Sequence, residues 1–440
     1  MPRPDLLPMP PVATGVGLPW DLPVEDAVAE IAAARARHGE TFVVDSGRDR
    51  YLFTFSPTGV ESFYALPEGA ASKGVADYLM LRRKLPDGIF EGRRTLPGSL
   101  FRRDDVASYL RNLEDALVAT VDELGETGST DVFALTRRLG HRMGLASWAG
   151  PGSAEGAGFD RLAEAFDTLD GSDAFVHPDS MARVAASGKA AEQAALEVVV
   201  EVVGAAAEQP QGDHDLFARI VAAWADEPEG VRRRGVALDV ALIHVASMSN
   251  LHAALGWALV DLLTHDEERA AVSAGDRAVA ERCALESTRL AQRSIMARTV
   301  LTPVTFDTGD ATYTVPPGWT IATLLPLLNT SAAPGLDAWE PERWNRYRLA
   351  DTSALASPAL VTAFGHGKHS CPAQPFSLSA MTTALTHLLG TYELTPRWTS
   401  YPAPVAAQIG GVARAGTACP VSYARSAMPG RHLSSPSHNT

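Results

Sequence analysis

The chain has 440 residues, of which 46% are hydrophobic and 20% charged, and its formal charge is −14. That is apolar material enough for a large core, and the acidic balance argues against nucleic acid or an anionic membrane as partner.

Residues 1–23 are rich in proline and lack the apolar core of a signal peptide, and no early stretch is long enough to span a bilayer. A cytoplasmic protein with reduced thiols and no membrane partner is therefore expected. Residues 24–38 read as an amphipathic helix stopped by Gly39. Strand-like runs follow at 41–44 and 51–55, and Ser56-Pro57 opens the next helix. Helical periodicity returns at 106–124 and 131–145, with a small-residue loop at 151–158. Helices are expected at 159–169 and 180–207, a turn at 226–230, and a long apolar helix from about 235 to 263. No linker, charge block or internal repeat divides the chain, so residues 1–426 read as one domain, mainly α with a small β region. The Ser, Pro, Gly and His-rich residues 427–440 read as a disordered tail.

Chemistry concentrates near the C-terminus, in Phe364-Gly365-His366-Gly367-Lys368-His369-Ser370-Cys371-Pro372-Ala373. Glycines let the backbone fold tightly under a flat ligand, and loop N–H groups can then stabilise a thiolate. A lone cysteine is by default a small buried hydrophobe, as Cys283 and Cys419 are expected to be. Zinc is a second reading, since His366, His369 and Cys371 fall within six residues, but no fourth ligand stands at a finger-like spacing. Upstream, Glu286 and Arg289 are three apart and share one helix face, and Pro341-Glu342-Arg343-Trp344 follows.

Together the cysteine loop, the Glu286/Arg289 pair and the Arg343-Trp344 segment, in that spacing, resemble the cytochrome P450 family. The resemblance implies that fold, with haem b held between the long central helix and the cysteine loop, and Cys371 as the iron ligand. It also implies that Phe364 and Gly365 line the haem, that His369, Arg298 and Arg94 hold its propionates, and that Glu286, Arg289 and Arg343 form a buried structural cluster. Two departures stand out in the sequence: Ala373 replaces the family's glycine, and Phe90 replaces a tryptophan or histidine upstream of Arg94.

The acid-threonine pair found at the centre of the family's long helix is replaced here by Asn250 and Leu251. The string Ala246-Ser247-Met248-Ser249-Asn250-Leu251-His252 is similar instead to the branch holding cholesterol 7α-hydroxylase and prostacyclin synthase. Asn250, Ser247 and His252 are the candidates for proton delivery, His244 being a further one. By resemblance the chain is a monooxygenase that hydroxylates or oxidatively decarboxylates a small-molecule or peptide-derived natural product, served by a ferredoxin and ferredoxin reductase docking near Arg93, Arg94, Arg102, Arg103, Lys368 and His369. The rival is a haem-thiolate isomerase, dehydratase or peroxide-using enzyme, which needs no relay.

Overall fold

The computed structural model describes residues 9–92, 94–95, 106–150, 152–171, 177–209 and 216–426. The expectations for Arg93, Arg102, Arg103 and the tail lie outside them.

The helices are α1 (Ala27–His38), α2 (Pro57–Ala65), α3 (Lys73–Leu81), α4 (Val106–Leu124), α5 (Val132–Trp148), α6 (Gly156–Asp170), α7 (Pro178–Ala186), α8 (Ala190–Ala206), α9 (Leu216–Ala223), α10 (Glu229–Thr264), α11 (Asp266–Ser273), α12 (Arg277–Leu290), α13 (Leu325–Ser331) and α14 (Gln374–Thr391). Their starts obey local rules: Asp26, Asp131 and Asp276 each accept two backbone N–H bonds as N-caps, and Ser56 and Ser72 accept one each. One expectation fails. The helix read across 180–207 breaks into α7 and α8, because Lys189 turns left-handed (φ 61°) and spends its ammonium on the carbonyls of Arg82 (2.8 Å) and Leu85 (3.0 Å). A tertiary contact overrides helical propensity there.

The β region is small. Its main mixed sheet is built from β1 (Val12–Ala13), β2 (Thr41–Asp45), β3 (Arg50–Thr54), β4 (Ala71–Ser72), β5 (Ile295–Val300) and β6 (Thr320–Leu324), in the spatial order β1-β2-β3-β6-β5-β4. The β4–β5 register sets Ser72 opposite Thr299, and so brings the Ala71 carbonyl to Arg298.

At the centre lies α10, which begins earlier than its apolar pattern suggests, at Glu229 directly after Pro228. It is apolar and long enough to cross a bilayer by composition, yet 67% of its most apolar window is buried inside the protein, as a core helix requires. Gly140, Gly144 and Gly256 let its neighbours approach: a Cβ at Gly256 would meet the Phe133 ring at 2.7 Å. Within the otherwise buried middle of this helix, Ala246 and Asn250 are exposed and Val245, Ser247 and Ser249 are half-buried. Ala246, Ser247 and Asn250 face a cavity.

Candidate functional site

The cysteine loop is built by its glycines. Gly365 (φ +81°) lies so close to the His369 carbonyl that a Cβ there would meet its oxygen at 2.5 Å, and Gly367 (φ +55°) starts the turn that follows. The Cys371 N–H donates back to the Phe364 carbonyl (2.8 Å), closing the loop. Sγ then sits just before α14, with the N–H groups of Ala373 and Gln374 directed at it. Burial pushes the thiol up, and those two amides and the Lys73 charge pull the other way. Pro372 contributes no donor.

Behind the loop, Glu286 is fully buried between two guanidiniums: Arg289 reaches it at 2.7 and 2.9 Å and Arg343 at 2.8 Å. The Trp344 indole (2.8 Å) and the Glu340 N–H (3.0 Å) complete its shell. Burial would raise its carboxyl, but Arg289 and these donors outweigh burial and hold it low. Arg289 goes on to the carbonyls of Asn329 (2.5 Å) and Leu336 (2.7 Å), tying α12 to the segment that precedes the cysteine loop.

Between this loop and α10 lies a cavity of about 510 Å³, within the usual range for small-molecule and cofactor sites. Cys371, Phe364 and Gly365 line it from the loop, and Ser247, Asn250 and Leu251 from α10. Its walls are mostly apolar and its basic groups, among the described residues, are Lys73, His369 and Lys368. A soft sulfur ligand, apolar walls and a basic rim fit a flat apolar metal cofactor with carboxylate arms, and so fit haem. Zinc does not fit, because no three His, Cys, Asp or Glu side chains converge among the described residues. His366 donates to the Val361 carbonyl at 3.2 Å, and His369 Nε2 accepts from Arg298 at 2.5 Å.

Several expected residues are placed elsewhere. Arg298 is buried and does not line the cavity; it stands behind His369, its guanidinium spent on the carbonyls of Ala71 (2.8 Å) and Leu66 (2.8 Å) and on Glu68 (3.3 Å). Arg94 stacks over Trp224 (4.7 Å), pairs with Glu227 and donates to the Ala223 carbonyl (3.3 Å), away from the cavity. His252 faces the opposite side of α10, its Cβ against Gly140 and its Nε2 3.9 Å from Asp170. His244 too is turned away, in a buried chain where the Trp148 indole donates to its Nδ1 (3.2 Å), its Nε2 meets His141 (2.8 Å), and His141 meets Asp167 (2.8 Å).

Asn250 does line the cavity, but its Oδ1 accepts the Val412 N–H at 2.9 Å. Gly411 (φ +63°) makes room: a Cβ there would meet that oxygen at 2.5 Å. The same strap is stitched to residue 293 by two backbone bonds, Arg293 N–H to the Gly411 carbonyl (2.8 Å) and Gly410 N–H to the Arg293 carbonyl (2.6 Å). A little further on, Arg414 pairs with Asp170 at the end of α6 (2.6 Å). The bond holds the carboxamide in place while leaving its oxygen one lone pair and its N–H₂ both donors, so Asn250 can still hydrogen-bond a group in the cavity. Ser247 keeps a hydroxyl that makes no hydrogen bond among the described residues and can both accept and donate.

No known protein-family model matches this chain, and no curated protein does. Among solved structures it is similar to CYP175A1 from Thermus thermophillus, a cytochrome P450. The two are 19% identical with a TM-score of 0.63, over 90% of this chain and 95% of that one. The architecture is that of the cytochrome P450 fold, mainly helical with a small β region.

Proposed function

We propose that the protein is a haem-thiolate monooxygenase of cytochrome P450 type, with haem b in the cavity and Cys371 as its iron ligand. The observation that carries this is Cys371 itself, held by two amides at the start of α14 and facing the break in the buried middle of α10. Bound haem would supply the one-electron and oxygen chemistry; the chain supplies the rest. Cys371 Sγ would donate electron density to iron, Phe364 and Leu251 would exclude water, and His369 would hold a propionate through Nδ1–H, since its Nε2 is taken by Arg298. Protons would pass through the Ser247 hydroxyl, with Asn250 donating its N–H₂ to an oxygen of the substrate. The substrate we propose is a polar or peptide-derived natural product, with a ferredoxin and its reductase as electron source and the cytoplasm as location. Residues 1–426 would act as one domain.

The Asn250-Leu251 pair supports a second reading. A carboxamide held in place beside an aliphatic residue suits a substrate that already carries its oxygen, as an isomerase or dehydratase of the cholesterol 7α-hydroxylase and prostacyclin synthase branch would require. The purified protein should bind haem, and its reduced carbonyl adduct should show the long-wavelength Soret band of thiolate ligation, lost in Cys371→Ser. A normal band in the wild type refutes the proposal. Turnover without reductant would select the second reading.

A further inference from the structure

We infer that Lys73 supplies the cation for a haem propionate, in the place expected of Arg94; the inference rests on the haem reading. Two propionates bring two negative charges to the rim of a partly buried slot, and such charges need opposite partners. The obvious candidates are committed. Arg94 lies over Trp224 and against Glu227. Arg298 directs Nε, Nη1 and Nη2 at protein atoms and does not line the cavity. By donating to His369 Nε2, Arg298 also fixes that ring as the neutral Nδ1–H form, so His369 offers one hydrogen bond and no charge.

Lys73 borders the cavity on the His369 side. It is the first residue of α3, directly after the β4 edge that pairs with the Arg298 strand. The corner carrying it is braced: Ser72 donates to Glu68 at 2.5 Å, the Gly74 N–H donates to the same oxygen at 3.1 Å, and Ser72 caps α3 through the Val75 N–H at 3.0 Å. Its ammonium pairs with Asp77 one turn along, and two of its three donors remain for another carboxylate. Its charge acts on both the His369 ring and the Cys371 thiol, which puts it at the rim that the cofactor would share with them. A lysine in mid-sequence with no motif around it gave no signal in the chain; only the fold brings it there.

The test is the rate at which holoprotein surrenders its cofactor to excess apomyoglobin, measured for haem b and for its propionate dimethyl ester. Lys73→Gln should release haem about tenfold faster than wild type, the size of one charge-assisted hydrogen bond, and Lys73→Arg should stay close to wild type. The wild type should release the ester faster than haem, and Lys73→Gln should lose most of that preference. An unchanged release rate and an unchanged ester preference in Lys73→Gln overturn the inference, as does the same loss appearing in Lys368→Gln instead. A wild type that takes up no haem at all overturns the haem reading, and this inference with it.

Discussion

At the residue scale, the fate of each polar group depends on which of its atoms are already engaged. Asn250 and Ser247 both line the cavity, but the Val412 N–H holds the Asn250 oxygen in place, whereas Ser247, half-buried one turn earlier, keeps a hydroxyl with no partner among the described residues. Ser247→Ala should therefore consume reductant with less product, about 10²-fold slower if the hydroxyl is the main proton donor. Asn250→Ala should leave coupling largely intact and weaken substrate binding. Both are read from product formed per electron supplied and from the ligand-induced shift of the haem spectrum. The Glu286 cluster has a different character. Glu286→Gln leaves two guanidiniums without their shared counter-charge and should cost roughly 3–5 kcal/mol, seen as a lower urea midpoint. The cluster and the cysteine loop are legible in the sequence because both are local: an i, i+3 pair on one helix, and glycines at the two positions where φ turns positive. Arg94 is not legible, since what captures it is Trp224, far along the chain. His252 fails on phase alone, for periodicity reveals the helix but not which side of it meets the cavity.

At the scale of elements, α6 and α8 are pinned together by buried charge. Lys84, 2% exposed, donates to the Thr168 carbonyl at the end of α6 (2.5 Å) and lies 3.5 Å from Glu192 of α8. Burial lowers the Lys84 ammonium, with Glu192 opposing. Lys84→Met strands Glu192 in an apolar setting and should destabilise by roughly 3–5 kcal/mol, whereas adding Glu192→Met should restore most of the loss. Urea unfolding of Lys84→Met, Glu192→Met and the double variant measures the coupling; equal effects in Lys84→Met and the double variant would deny it. Element order and the long helix can be read from periodicity, with most ends correct to within a few residues. The break between α7 and α8 cannot, because Lys189 leaves helical geometry for partners more than a hundred residues away.

At the scale of the whole molecule, buried and half-buried histidines oppose acid. Burial, first among the causes, lowers His244, His252, His366, His369 and His387 below 6.5. The unfolded chain takes up protons from about pH 6.5 downward while the folded chain resists, so stability falls with pH, at up to about 1.4 kcal/mol per unit for each fully depressed ring. Asp261, raised by burial to about 6 and bonded by Tyr401 at 2.6 Å, and Asp21, also raised by burial, work in the opposite direction, but they are two groups against five. The unfolding temperature should drop between about pH 7 and 5.5, and a flat profile there would contradict this. For the proposed electron donor, an acidic ferredoxin meets a chain of charge −14, so docking needs local basic groups such as Lys368. Neutralising Lys368 together with Arg103 should slow reduction by ferredoxin, most strongly at low ionic strength, in stopped-flow measurements. The strap around Gly411 has a wider consequence. Sewn to Asp170 through Arg414, to Asn250 beside the cavity and to Arg293, it joins the end of α6 to a carboxamide of the cavity wall. The same few peptide units thus carry a mechanical link from α6 to the cavity wall, and Arg414→Ala, at a residue that does not line the cavity, should alter ligand binding inside it.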